Sequence, residues 1–260
     1  MIGFIGGGNM AEALIKGMTS KGMKEILVSE PREERRTFLE RAYGVKATAS
    51  NAELISACDI IILAVKPQIM DAVMDDISAL VSEDKTVVSI AAGITLDYFK
   101  SKLKTEKIIR VMPNTPALVQ EGMSVMSLCG CFHGKELDTV KSILMAVGRV
   151  ITLPESLMNA VTALSGSGPA FIALFTEAMI DAGEKLGLNR SDATQLAVQT
   201  VFGTARLLDT GMSPENLRKM VTSPGGTTAA GVKVFEEKGL KSIVEDALTA
   251  ARDRGAELGR

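Results

Sequence analysis

Short apolar runs alternate with amphipathic stretches through the first half of the chain. Residues 59–65 are apolar on both faces, as expected of a strand inside a parallel sheet. The predicted strands are residues 2–5, 26–29, 45–47, 59–65, 86–90, 107–112, 123–128 and 149–153. The predicted helices between them are residues 9–18, 31–43, 68–80, 95–103 and 135–146. This alternation predicts an α/β fold with a doubly wound, Rossmann-like sheet.

The second half of the chain has no strand pattern. Its predicted helices are residues 155–164, 169–186, 191–208, 213–221, 227–238 and 241–260. We therefore expect an α/β domain over residues 1–153 and an all-helical domain over residues 154–260. Two of the helices are rich in large apolar side chains such as Phe171, Phe175 and Phe202. They carry more apolar surface than one small bundle can cover, which predicts a homodimer or higher homo-oligomer through the helical domain.

The composition disfavours several classes of partner and location. The 260 residues are 46% hydrophobic, and the net charge of -2 comes from interspersed charges. We therefore expect neither a nucleic-acid partner nor a membrane-surface patch. No signal peptide and no run of roughly eighteen apolar residues is visible. The three cysteines, an odd number, favour a reducing, cytoplasmic location over a disulfide framework.

A metal site is not expected. Cys129, Cys131 and His133 alternate and could share one face of a strand. A fourth ligand is missing, and the chain has no CxxC or HxxxH pair to supply one.

A glycine-rich turn follows the first predicted strand. Gly6, Gly8 and Ala11 give the spacing GxGxxA between a strand and a helix. In this motif the first glycine makes a tight turn, the second lets a pyrophosphate approach the backbone, and the third small residue lets the helix pack on the strand. We predict a dinucleotide site here, with Asn9 and Met10 also in contact with the cofactor.

The end of the second strand should select between the two nicotinamide cofactors. Glu30 lies about twenty residues after the motif, where an acid would bind a ribose 2′-hydroxyl and repel a 2′-phosphate. Ser29 and Arg32, with Arg35 and Arg36 nearby, could instead hold that phosphate. The sequence leaves the choice between NADP(H) and NAD(H) open.

Three further segments follow predicted strands at their carboxyl ends, where ligands bind in open α/β sheets. Small residues and prolines there would let a flat nicotinamide ring lie near the sheet. The predicted cofactor contacts in these segments are Ala64, Val65, Lys66, Pro67, Ala91, Ala92, Gly93 and Asn114.

A second glycine-containing turn lies in the helical half, at residues 223–228. Its sequence is Ser-Pro-Gly-Gly-Thr-Thr, directly before a predicted helix. Backbone N–H groups at a helix start have no partner within the helix and favour a small anion such as a carboxylate. A loop with an ordinary threonine cap is the competing interpretation.

These motifs together resemble those of the pyrroline-5-carboxylate reductase family. The resemblance covers nearly the whole chain, and its motifs are residues 3–6 with Gly8, 63–67, 91–93, 114–116, 164–170 and 223–228. It implies NAD(P)H-dependent reduction of L-1-pyrroline-5-carboxylate to L-proline by a homodimer with interlocked helical domains. It also implies that Asn51 lies near the adenosine ribose or its phosphate. Where relatives often have a small polar residue, this chain has Glu30, which argues against a strong NADP preference.

The resemblance further implies that the substrate carboxylate lies against residues 223–228, with the Thr228 hydroxyl near the ring nitrogen. A protonated imine needs orientation more than a strong acid, which fits a motif without His, Lys or Asp. We predict that Ser223 and the amides of Gly225, Gly226 and Thr227 bind the carboxylate. Thr228 is the predicted catalytic residue.

Two other functions compete with this one. A β-hydroxyacid dehydrogenase has the same domain order, but Ile172 stands where that family requires a lysine for proton transfer. A non-catalytic, nucleotide-sensing dimer would bind the cofactor without needing a carboxylate-binding turn.

Overall fold

The computed structural model describes residues 1–130 and 134–259, and eight strands of these residues form one sheet. The strand order is β3-β2-β1-β4-β5-β6-β7-β8. The strands are β1 (Ile2–Ile5), β2 (Ile26–Ser29), β3 (Lys46–Thr48), β4 (Ile60–Leu63), β5 (Thr86–Ser89), β6 (Ile108–Met112), β7 (Gly122–Leu128) and β8 (Gly148–Thr152). The first six are parallel, β7 is antiparallel to β6, and β8 is parallel to β7. The predicted α/β fold is confirmed, and β7 and β8 extend its sheet.

Helices cover both faces of this sheet. They are α1 (Asn9–Ser20), α2 (Glu33–Tyr43), α3 (Asn51–Ala57), α4 (Met70–Ile77), α5 (Leu96–Lys102) and α6 (Lys135–Met145). One core cluster includes Leu14 of α1 and Leu39 of α2, and another includes Leu54 of α3 and Phe99 of α5. The strands are therefore buried on both sides, which explains why residues 60–63 are all apolar.

The apolar pattern did not predict helix α3. The helix has seven residues, too few to show a clear apolar stripe. Its start is instead marked by Ser50, whose Oγ accepts the N–H of Glu53 at 3.2 Å. The predicted helix over residues 68–80 is observed as the shorter α4, Met70–Ile77, whose start is delayed by a 3₁₀ turn at Pro67–Ile69.

The chain divides into two compact units. The first unit contains Met1–Ser167 together with the residues from Ala250 onward, and the second contains Gly168–Thr249. The remaining helices are α7 (Met158–Val161), α8 (Gly168–Lys185), α9 (Arg190–Asp209), α10 (Pro214–Met220), α11 (Thr227–Glu237) and α12 (Leu240–Leu258). A 3₁₀ turn, Glu155–Leu157, precedes α7, and a π-helical turn, Thr162–Gly166, follows it.

These units do not divide at residue 153, where the domain boundary is predicted. Met158 and Val161 of α7 are buried in a small cluster with Val125 of β7, so this segment packs with the sheet. The division into residues 1–153 and 154–260 stays a prediction about domains, distinct from the compact units.

The second unit has little interior of its own. Many large apolar side chains on its helices are exposed, including Leu174 at 65%, Phe202 at 60% and Ile243 at 57%. Such a surface is typical of a region that packs against another chain.

One helical stretch of the described residues, Glu155–Lys185, is long and apolar enough by length and composition to cross a membrane. Its most apolar window has a mean hydropathy of 1.3, and 11% of that window is buried within the chain. This is weak evidence for a span, because helices of soluble proteins can have the same length and composition.

Candidate active site

The glycine turn, residues Gly6, Gly7 and Gly8, connects β1 to α1. Gly6 has a φ of +98°, and a side chain there would meet the carbonyl oxygen of Ala64 at 2.7 Å. Both the backbone conformation and the lack of space therefore require glycine. Gly8 is the N-cap of α1, has no side-chain cap, and a Cβ there would meet nothing within 4 Å. An open, uncapped helix start of this kind fits a pyrophosphate.

Ala11 and Gly6 hold the turn against the sheet. Ala11 is 1% exposed and lies in the core beneath α1, so a small residue is needed there. The N–H of Gly6 donates to the carbonyl of Ser29 at 2.8 Å. The predicted contacts Asn9 and Met10 lie in the first turn of α1, which places all five predicted motif residues at one helix start.

The carboxylate of Glu30 faces the glycine turn. Its Oε2 accepts the N–H of Gly7 at 3.0 Å, and its Oε1 accepts the N–H and Nε–H of Arg32 at 3.2 and 2.8 Å. Burial raises the pKa of this carboxyl, but the hydrogen bonds from Arg32 and Gly7 outweigh burial and hold the pKa below its usual value. Glu30 is therefore an ionised, buried side chain turned toward the backbone.

The neighbouring arginines are mostly engaged by the protein. Arg35 donates from Nε to the carbonyl of Gly7 at 2.5 Å and forms an ion pair with Glu12. Arg36 donates to the carbonyl of Glu30 at 2.8 Å. The side chain of Arg32 pairs with Glu30 and remains 68% exposed.

Ser29 and Asn51 lie together at the carboxyl end of β2. The hydroxyl of Ser29 donates to Oδ1 of Asn51 at 2.6 Å, and Nδ2 of Asn51 donates to Asp76 at 2.8 Å. Two predicted cofactor contacts from different elements are therefore brought into direct contact.

The other predicted cofactor segments lie at the same edge of the sheet. β1, β4, β5 and β6 are neighbours and parallel, so the residues after them share the carboxyl edge. The sequence order reverses between β1 and β4, which is where ligands bind in doubly wound folds. The predicted contacts placed there are Ala64, Val65, Lys66, Pro67, Ala91, Ala92, Gly93 and Asn114.

These segments are held in different ways. The N–H of Ala91 donates to Oγ of Ser89 at 3.3 Å, and Gly93, with a φ of +81°, lies close to the carbonyl of Leu258 near the end of α12. Asn114 donates from Nδ2 to Oγ and to the carbonyl of Ser165, both at 3.3 Å. The side chain of Lys66 is exposed.

The substrate turn, residues 223–228, precedes α11 in the second unit. Gly225 has a φ of +73°, and Gly226 is the N-cap without a side-chain cap. The first helical hydrogen bond runs from Ala230 N–H to the Gly226 carbonyl at 3.2 Å, so the N–H groups of Thr227 and Thr228 precede it. This helix start has the arrangement expected of an anion site.

Two details of this turn refine the prediction. The N–H of Gly226 donates to the carbonyl of Ser223 at 3.1 Å, so this amide is engaged within the turn. The hydroxyl of Ser223 lies over Gly226, where a Cβ would come within 2.5 Å of it. Glycine at 226 therefore makes room for the Ser223 side chain.

The described residues hold no group of three His, Cys, Asp or Glu side chains arranged for a metal ion. Cys129 has a free thiol, whereas Cys131 and His133 lie outside the described residues.

The chain matches two known family models, one in each half. Residues 155–258 match the family model for pyrroline-5-carboxylate reductase dimerisation, and residues 1–93 match the model described as NADP oxidoreductase, coenzyme F420-dependent. The chain is 42% identical to a pyrroline-5-carboxylate reductase of Synechocystis, covering 100% of this chain and 98% of that protein. The chain belongs to the pyrroline-5-carboxylate reductase family.

Solved structures agree with this membership. A pyrroline-5-carboxylate reductase from Coxiella burnetii has a TM-score of 0.94 and 38% identity, covering 100% of this chain and 98% of that chain. The pyrroline carboxylate reductase of Plasmodium falciparum, solved with NADP bound, has a TM-score of 0.88 and 33% identity over the same shares. The chain thus has a Rossmann-type NADP-binding domain followed by a helical dimerisation domain, and the β-hydroxyacid dehydrogenase alternative is not favoured.

Sequence reasoning missed several residues that shape this reductase site. Gly7 is one of them. Arg35, which the sequence indicated only as a possible phosphate contact, holds the glycine turn through the Gly7 carbonyl. Glu155 accepts the N–H of Leu96 at 2.7 Å and pairs with Arg110 at 2.9 Å, fixing the segment after β5. A signal was visible for Arg110, because it is a charged residue within an otherwise apolar strand.

Proposed function

We propose that this chain reduces L-1-pyrroline-5-carboxylate to L-proline with NAD(P)H, the last step of proline biosynthesis. It is an oxidoreductase that acts on a C=N bond, as its family membership and full-length relatives imply. The observation that carries the proposal is the uncapped start of α11, which offers N–H donors for a carboxylate in a chain with a nucleotide-binding turn.

The substrate turn orients the substrate. Ser223 and the amides of Gly225 and Thr227 bind the carboxylate, and the Thr228 N–H at the start of α11 is a further donor. The Gly226 N–H, which donates to the Ser223 carbonyl, shapes the turn. The hydroxyl of Thr228 lies near the ring nitrogen. The nitrogen is protonated, so the imine carbon accepts hydride readily, and a neutral hydroxyl is sufficient to orient it.

The glycine turn and the carboxyl edge of the sheet bind the cofactor, which supplies the hydride. The first turn of α1 holds the pyrophosphate through backbone N–H groups, with Gly8 leaving the space that it needs. Ser29, Arg32 and Asn51 would hold the adenosine end. The segments after β4, β5 and β6 would hold the nicotinamide, from which the hydride is supplied.

The chain works as a homodimer, or a larger homo-oligomer, formed through the helical domain at residues 154–260. The exposed apolar side chains of the second unit and the match to a dimerisation family support this assembly. We place the enzyme in the cytoplasm, as its free thiols Cys58 and Cys129 favour.

An assay of NADPH and NADH oxidation with the cyclic imine tests the function, with proline measured as the product. Turnover with the imine and none with a β-hydroxyacid supports the proposal. Tight nucleotide binding without turnover of either substrate would instead identify a nucleotide sensor.

A further inference from the structure

Gly7 is a glycine at a position where the motif does not demand one. In GxGxxA the second position is variable. Here a Cβ at Gly7 would come within 2.9 Å of Cδ1 of Leu39 and 3.3 Å of Oε2 of Glu30. The missing side chain therefore lets α2 and Glu30 approach the glycine turn closely.

Both polar groups of the Gly7 residue are taken by side chains. Its N–H donates to Glu30, and its carbonyl accepts from Arg35. A buried ion that accepts a backbone N–H fixes that peptide more firmly than a neutral partner would. In the proposed nucleotide site the neighbouring N–H groups bind the pyrophosphate, so their orientation depends on how the Gly7 peptide is held.

The same contacts leave Glu30 little capacity for a ribose. Oε2 is used by Gly7, Oε1 accepts two donors from Arg32, and the residue is 4% exposed. An acid that selects for a 2′-hydroxyl has to present an oxygen to the ligand.

We propose that Glu30 is a positioning residue that fixes the glycine turn through Gly7 and does not discriminate between NADPH and NADH. This inference rests on the nucleotide site of the proposed function. It explains how a chain with an acid at the end of β2 has an NADP-type domain, because the acid is turned toward the backbone.

The test compares Glu30→Ala and Glu30→Gln with the wild-type chain. Calorimetry gives the Kd for NADP⁺ and NAD⁺, and hydrogen exchange follows the Gly7 amide. Glu30→Ala should weaken both nucleotides by about tenfold, the size expected for one hydrogen bond to a charged group, with their Kd ratio unchanged within about twofold. Gly7 exchange should accelerate about tenfold. Glu30→Gln keeps an oxygen for Gly7 and should weaken both nucleotides by about threefold.

Glu33→Gln is the matched control, since it removes an exposed negative charge from the first turn of α2. It should leave both Kd values within about twofold. A Kd ratio shifted tenfold or more toward NADP⁺ in the Glu30 variants would overturn the inference, and so would unchanged Gly7 exchange. A wild-type chain that binds neither nucleotide contradicts the proposed function instead, while faster Gly7 exchange in Glu30→Ala still supports the positioning role.

Discussion

The starts of α1 and α11 use the same backbone arrangement in two different settings. Gly8 before α1 has φ −71° and ψ −175°, and Gly226 before α11 has φ −79° and ψ 173°. A glycine with positive φ precedes each of them, Gly6 two residues before Gly8 and Gly225 directly before Gly226. Neither N-cap supplies a side-chain cap, so both helix starts leave N–H groups for an anion.

The surroundings of the two turns differ. A Cβ at Gly6 would meet the Ala64 backbone, whereas a Cβ at Gly225 would meet nothing within 4 Å. The glycine turn is enclosed by β4, α2 and the Glu30 carboxylate, and the substrate turn is exposed at Ser223 and Gly225. One proposed anion site is therefore fixed by its own unit, and the other is fixed mainly by local backbone geometry.

Gly6→Ala should produce the largest effect, because the turn has neither the conformation nor the space for a side chain. Positive φ alone costs roughly 1–2 kcal/mol, and the approach to Ala64 adds to it. We expect at least about 100-fold weaker NADPH binding and a melting temperature lower by about 5 °C. Calorimetry and thermal unfolding measure the two quantities. Unchanged NADPH affinity in Gly6→Ala would show that the close packing of Gly6 against Ala64 is not needed for nucleotide binding.

Thr228→Ala tests the exposed turn. Removing the hydroxyl should lower kcat/KM for the imine by about 10- to 100-fold, or ~1.4–2.7 kcal/mol, with little change in nucleotide affinity. Thr228→Ser keeps the hydroxyl and should retain most of the activity. Steady-state kinetics with both substrates varied gives these values, and wild-type activity in Thr228→Ala would remove Thr228 from the mechanism.

Gly8→Ala tests whether the open space at Gly8 is needed by the ligand and not by the fold. Its φ is ordinary and its Cβ position is empty, so thermal stability should stay within about 2 °C of wild type. A methyl group in the pyrophosphate position should nevertheless weaken NADPH about tenfold. If Gly8→Ala lost stability as Gly6→Ala does, the two glycines would not have the separate roles assigned to them.

The sequence predicted the parts of each turn that depend on local chemistry. The GxGxxA spacing after a strand indicated the glycine turn, because its glycine requirements come from the backbone itself. The α/β fold followed from apolar strands, which are buried on both faces whatever the details of packing. The helix start after residues 223–226 was also predicted, and the anion-binding role inferred from it stays a prediction.

The direction of the Glu30 side chain could not be predicted in this way. Whether it faces a ribose or Gly7 depends on how α2 packs, through Leu39, against the turn. The engagement of the Gly226 amide could not be predicted either, since its hydrogen bond to the Ser223 carbonyl exists only in the folded turn. Short-range patterns identify the backbone proposed to bind, and the folded structure decides which of its groups are already engaged.

Gly225→Ala gives the sharpest contrast with Gly6→Ala, although its own effect should be the smallest. Both glycines have positive φ, but only Gly6 lacks space, so Gly225→Ala isolates the conformational cost of about 1–2 kcal/mol. An exposed turn can relieve part of that cost by a local shift, and kcat/KM should fall by no more than about threefold. Asparagine tolerates the left-handed conformation, so Gly225→Asn should have a kcat/KM close to that of the wild type. A fall in kcat/KM of about 100-fold in Gly225→Ala, as large as the loss of NADPH affinity expected for Gly6→Ala, would contradict this expectation. It would mean that a group outside this chain contacts the substrate turn, so that both proposed anion sites are enclosed in the assembled enzyme.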